Sequence, residues 1–206
     1  MQFRFLPIAV LVALLWTVGA TAQTSSDVVS ALRTGGNIIV LRHGATFTDQ
    51  ADTNPLDPKD TAHQRQLNDA GKAAAKAMGD ALHTLKVPVG QVTTSQFQRA
   101  VDTGTLLGFG AVIPTADISE GGLVVSPNEN NRRAAALKKL AATPPAAGTN
   151  VILVTHKPNI LDAFGKDWFD VREGEASIFK PDGNGGAKLV VRVQAADWGK
   201  LAQSTN

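Results

Sequence analysis

Two runs along the chain are apolar without interruption and rich in β-branched residues: "NIIVL" (Asn37 to Leu41) and "NVILV" (Asn150 to Val154). Runs of this kind predict strands buried on both faces, as in a parallel sheet covered by helices. Between them the apolar positions recur at helical spacing. In "LNDAGKAAAKAMGDALHTL", Ala70, Ala74, Ala77, Met78, Ala81, Leu82 and Leu85 mark one predicted helical face. "SSDVVSALRTGG" predicts an earlier short helix, capped by Ser or Asp and stopped at Gly35. "FQRAVDTGTLLGF" and "ENNRRAAALKKLAAT" predict two more, the latter ended by "TPPAAG", whose prolines cannot continue it. "VGQVTTS" predicts a short strand and "AVIPTADIS" an extended segment. "EASIFKPDGNGGAKLVVRVQ" predicts two strands around a Gly-rich turn. Strands alternating with helices predict an α/β fold, a three-layer α/β/α sandwich with a mostly parallel central sheet. One segment breaks the pattern. Gly44 to Gln66 is polar and aperiodic, and a loop of that length inside a compact domain is usually functional.

The N-terminus fits neither period. "MQFRFLPIAVLVALLWTVGATAQ" has a short region with Arg4, an apolar run from Phe5 to Val18, and "ATA" before Gln23. This predicts a signal peptide over residues 1–22 and a single domain over 23–206. The apolar run is shorter than the roughly 20 residues of a spanning helix. The expected location is therefore exported, periplasmic or secreted, with no stable membrane anchor after cleavage. The sequence has no Cys, so stability must come from core burial and not from disulfides. A net charge of +2 with no basic run gives nucleic acid no footprint.

In open α/β sheets ligands bind beyond the carboxyl ends of the strands. "IIVLRH" and "VILVTH" each put a His there, and "VTTS" leads to Arg99. Arg42, His43, Arg99 and His156 thus form a set. Guanidiniums offer bidentate donors to phosphate oxygens and stay charged. A neutral imidazole can act as a nucleophile. A second imidazole adds a donor when protonated. Together they predict an anion trap suited to phosphoryl transfer. The spacing of the four His fits no compact metal motif, so no metal and no cofactor are expected.

"LRHG" (Leu41 to Gly44) resembles the signature of the histidine phosphatase superfamily, the phosphoglycerate-mutase-like fold. "LNDAGKAAAKAMGDAL", "TSQFQRAVDTG", "VILVTHKPNI" and "GEASIFKPDG" resemble its later segments in order, over about Asn37 to Val193. The resemblance implies roles. His43 is the nucleophile that becomes phosphohistidine. Arg42, Arg99 and His156 bind the transferred phosphoryl group, and Gly44 lets the backbone approach it closely. One branch carries its general acid as an Asp directly after the second His, where this chain has Lys157. The other uses a Glu after the second arginine motif, which makes Glu120 in "ADISEGG" the first candidate and Glu129 in "SPNENN" the second. Thr46 and Arg65 are possible substrate contacts, and Glu175 could orient a pocket residue.

The expected protein is a phosphatase of phosphomonoesters or phosphoramidates, acting on a small phosphorylated substrate or a phosphorylated envelope component. The alternative is a phosphate-binding protein of the same fold with little or no turnover.

Overall fold

The computed structural model describes residues 25–121 and 125–203; the expected signal segment lies outside them. Among the described residues six strands form one sheet: β1 (Ile38–Arg42), β2 (Val89–Ser95), β3 (Ile113–Thr115), β4 (Asn150–Thr155), β5 (Ala176–Pro181) and β6 (Ala187–Val193). Their spatial order is β3-β2-β4-β1-β5-β6. The first four neighbours run parallel, while β5 and β6 are antiparallel to the strands beside them. The sheet is thus mixed, with the antiparallel hairpin at one edge.

Strand β1 shows why its sequence is uniformly apolar. Ile39 and Leu41 enter one core, while Ile38 and Val40 enter another on the opposite face. Successive side chains of a strand point to opposite faces, so both faces must be apolar when both are covered. Strand β4 divides its residues the same way, Ile152 and Val154 against Leu153. Each such side chain contributes about 1.5–3 kcal/mol on burial.

The helices are α1 (Ser25–Thr34), α2 (Asp69–Thr84), α3 (Gln98–Leu106), α4 (Pro127–Ala142), α5 (Lys157–Phe164) and α6 (Trp198–Gln203). The first core gathers Val28, Leu32, Met78, Leu82, Ala100 and Trp198; the second gathers Leu137, Ala141, Ile160 and Trp168. Asn68 caps α2 by accepting from the Gly71 N–H, and Ser126 caps α4 by accepting from the Glu129 N–H. Helix α4 begins earlier than its apolar pattern, because Pro127 suits the first helical turn. "AVIPTADIS" is extended only over β3; Ala116–Ile118 then form a 3₁₀ turn.

The buried face of α2 agrees with the expected one at Met78, Ala81, Leu82 and Leu85 and differs elsewhere. Ala70 and Ala77 are exposed, whereas Gly71, Ala75, Met78 and Gly79 are buried. The glycines are needed for contact between backbones. A Cβ on Gly71 would lie 2.1 Å from the Ala45 carbonyl oxygen, and one on Gly79 would lie 2.4 Å from that of Leu107. Gly71 therefore seats α2 directly against the start of the long loop.

Candidate active site

Strands β1 and β4 are parallel neighbours, with Arg42 opposite Thr155. The register carries past the strand ends: the His43 N–H donates to the Thr155 carbonyl at 3.0 Å. His43 and His156 therefore emerge side by side, their rings 5.1 Å apart. Both are buried, at 2% and 0% exposure.

His43 Nδ1 lies 2.8 Å from the Gly44 carbonyl. A carbonyl accepts, so the proton is assigned to Nδ1 and the Nε2 lone pair is left free. Burial pushes the His43 pKa well below its ordinary value, and the charges of His156 and Arg99 push the same way. The ring is thus neutral, rigid and of the tautomer a nucleophile needs.

His156 Nε2 is 2.7 Å from Ser95 Oγ, which donates to Ser119 Oγ, which in turn donates to the Thr115 carbonyl. That hydroxyl chain assigns a proton to Nε2. Nδ1 then faces Glu120 Oε2 at 3.3 Å without hydrogen-bond alignment. Burial lowers the His156 pKa, while Glu120 opposes the shift. A proton at Nδ1 would be shared between the ring and that carboxylate.

Arg99 stands in the first turn of α3, fully buried, with its guanidinium 4.6 Å from the Phe97 ring centroid. Nη1 donates to Asp52 and Nη2 to Glu120, each at 2.9 Å. Arg42 donates from Nη1 to the Val171 carbonyl, with Glu173 3.4 Å from Nη2. Among the described residues, Arg42 Nε, Arg99 Nε and His156 Nδ1 are buried with no partner. An unpaired buried polar group costs about 1–3 kcal/mol, so the two unpaired guanidinium N–H groups would be satisfied by a ligand that supplies acceptors.

Glu120 is brought to the site and Glu129 is not. Burial alone would raise the Glu120 carboxyl, but His156 and Arg99 outweigh it and lower it to about 2. Glu129 sits in the first turn of α4 and is bound by Arg132 and Arg133. It completes a helix cap and reaches no histidine.

Gly44 carries a steric demand of its own. A Cβ there would lie 2.9 Å from the Gly71 carbonyl oxygen, so the glycine is required by the seat of α2. Its N–H donates to Thr103 Oγ1. The Thr46 hydroxyl donates to Glu173 Oε1, and so helps to fix the acid beside Arg42. The Arg65 side chain is half-buried, near enough to Arg42 for the two charges to oppose each other. Glu175 is buried just before β5. It accepts from Arg192, Gln194 and the Arg172 N–H, and its carbonyl accepts from the Arg42 N–H. Sequence reasoning missed Asp52, Ser95 and Glu173. Asp52 is one acid among several in an aperiodic loop, and only the fold shows which of them meets Arg99.

Among the described residues no group of three or more His, Asp or Glu side chains is placed to hold a metal ion.

Residues 38–121 match the sequence profile described as "Histidine phosphatase superfamily (branch 1)". None of the curated proteins matches the chain in sequence. Among solved structures, the protein histidine phosphatase SixA complexed with tungstate superposes with a TM-score of 0.54 at 17% identity, covering 78% of this chain and 98% of its own. A mycobacterial glucosyl-3-phosphoglycerate phosphatase gives 0.52 at 18% identity, covering 76% and 98%. A phosphoserine phosphatase from Entamoeba histolytica gives 0.50 at 13% identity, covering 77% and 97%. At these identities the superpositions establish the shared fold, a helix-flanked sheet of the phosphoglycerate-mutase-like kind.

Proposed function

We propose that the chain is a member of the histidine phosphatase superfamily, whose profile matches residues 38–121, and that it hydrolyses phosphomonoesters or phosphoramidates through a phosphohistidine on His43. The observation that carries this reading is the pair of neighbouring strand ends. They hold a neutral His43 with Nε2 free, alongside the buried, unpartnered Nε donors of Arg42 and Arg99 and the ring of His156.

The cycle has two steps. His43 Nε2 attacks phosphorus, an N–P bond forms and the bond to the leaving oxygen breaks. Arg42, Arg99 and His156 hold the equatorial oxygens, where charge accumulates. Glu120 supplies the proton that the leaving oxygen takes. Water then attacks phosphorus, the N–P bond breaks, and inorganic phosphate leaves with the water's proton passing back to Glu120.

Glu120 is ionised in the free protein, which is the observation that favours the alternative of a phosphate binder with little turnover. An arriving phosphoryl dianion changes its surroundings. It takes the donors of Arg99 and His156 that hold the carboxyl down, and its own charge raises the carboxyl. Substrate thus loads the acid. The leader-like N-terminal sequence supports action outside the cytoplasm, on a small phosphorylated compound or a phosphorylated envelope component.

The purified protein should release phosphate from a generic aryl phosphate, and His43→Ala should abolish that release. A folded sample that binds phosphate yet frees none from a panel of esters and phosphoramidates contradicts the reading and leaves the binding protein.

A further inference from the structure

If Glu120 protonates the leaving group, the alcohol being released lies alongside Glu120. The structure has a cleft of about 220 Å³ there, lined by Asp52, Leu56, Phe97, Glu120, Gly121 and Arg133, among others. One of its lining residues, Glu120, also meets the fully buried His156, whose Nδ1 has no hydrogen-bond partner. Glu120 and Asp52, both bonded to Arg99, thus link the cleft to the proposed phosphoryl site.

Its charges can be followed through binding. Asp52 and Glu120 both accept from Arg99 in the free protein. Arg133 is tied down: Nε donates to Glu129, and Nη1 donates to the Ser119 and Glu120 carbonyls. Arg65 makes its charge felt on the Arg42 side, while its backbone N–H donates to Asp52. When a phosphoryl dianion engages Arg42 and Arg99, and Glu120 takes its proton, the charge left facing the leaving group is that of Asp52. Its side chain is 21% exposed and held by two hydrogen bonds, so it is fixed and partly desolvated. Apolar walls from Pro55, Leu56 and Phe97 complete the surface.

We infer that Asp52 is a specificity-determining residue. It selects phosphomonoesters whose alcohol carries an ammonium group over those whose alcohol carries a carboxylate or a second phosphate. The inference rests on the phosphatase reading and on Glu120 as the proton donor. Its chemistry is plain. A cation two carbons from the scissile oxygen meets the uncompensated carboxylate, and an anion there is repelled.

The test uses three esters of similar size: 2-aminoethyl phosphate, ethyl phosphate and carboxymethyl phosphate. For the wild-type protein kcat/KM should fall in that order, with about tenfold or more between the cationic and anionic esters, the scale of one partly buried charge contact. Asp52→Asn should bring that ratio down about tenfold, whatever it does to the overall rate, and Asp52→Glu should keep it. As a measurement independent of any variant, the three esters should inhibit aryl phosphate turnover by the wild type in the same order. Equal ratios in wild type and Asp52→Asn, or equal inhibition by the three esters, overturn the inference while aryl phosphate turnover stands. Absence of all turnover by the wild-type protein, aryl phosphate included, overturns the phosphatase reading and this inference with it.

Discussion

At the scale of single residues the site depends on keeping His43 neutral. Burial and neighbouring charge lower its pKa well below the ordinary value of 6.5. The sign is definite: the folded ring stays unprotonated at pH values where an exposed His is charged. In an NMR titration of the free protein, His43 should hold its neutral tautomer from pH 7 down through 6; a midpoint near 6.5 contradicts this. Glu120 shifts in the same direction from 4.5 to about 2. For a carboxylate that means stability fully present above about pH 4.5 and lost as pH falls toward 2. Glu120→Gln removes both that pairing and the proton. Turnover of an alkyl ester should fall by roughly 10²–10⁴. An aryl ester with an acidic leaving group should suffer much less, and equal losses for the two esters would remove Glu120 from the role. His43, Arg42 and Arg99 could be grouped from the sequence because they lie at or just after predicted strand ends and share the chemistry of anion binding. Asp52, Ser95 and Glu173 could not, since each acts through a partner more than 40 residues away in the chain.

At the scale of elements the long loop and α2 are joined through glycine. Gly44 and Gly71 let the loop backbone rest on the first turn of the helix, with the Asn68 side chain donating to the Thr46 carbonyl. Gly71→Ala would drive a methyl group into Ala45 and should destabilise the protein by about 1–3 kcal/mol, read as a lower urea midpoint. Because Ala45 follows the signature directly, the same change should also slow turnover; an unaltered midpoint contradicts the packing argument. Glu129→Ala, by contrast, loosens the first turn of α4 and should leave turnover near wild type. The strands were readable because burial on both faces forces continuous apolar runs. The face of α2 was legible at Met78, Ala81, Leu82 and Leu85 but not at Ala70 and Ala77, because alanine is indifferent to burial and the close approach is carried by glycines, which hydropathy does not register.

At the scale of the whole molecule, the sheet order places β2, β4 and β1 next to one another, so the proposed phosphate site draws on residues far apart in sequence. Inorganic phosphate should therefore stabilise the folded state by mass action, about 2.7 kcal/mol at a hundredfold excess over Kd. The matching rise in Tm should shrink in Arg42→Gln; an equal rise in the variant would place the anion elsewhere. The topology was legible in outline from strand–helix alternation, while the antiparallel hairpin beside β1 emerged only from the pairing of β5. The most direct measurement is to mix the protein with a ³²P-labelled ester, quench with base within one turnover, and locate the label. An acid-labile, base-stable phosphoryl group on His43, absent from His43→Ala, is the predicted result. Turnover that persists in His43→Ala, or that proceeds with no phosphoenzyme, would contradict the central claim.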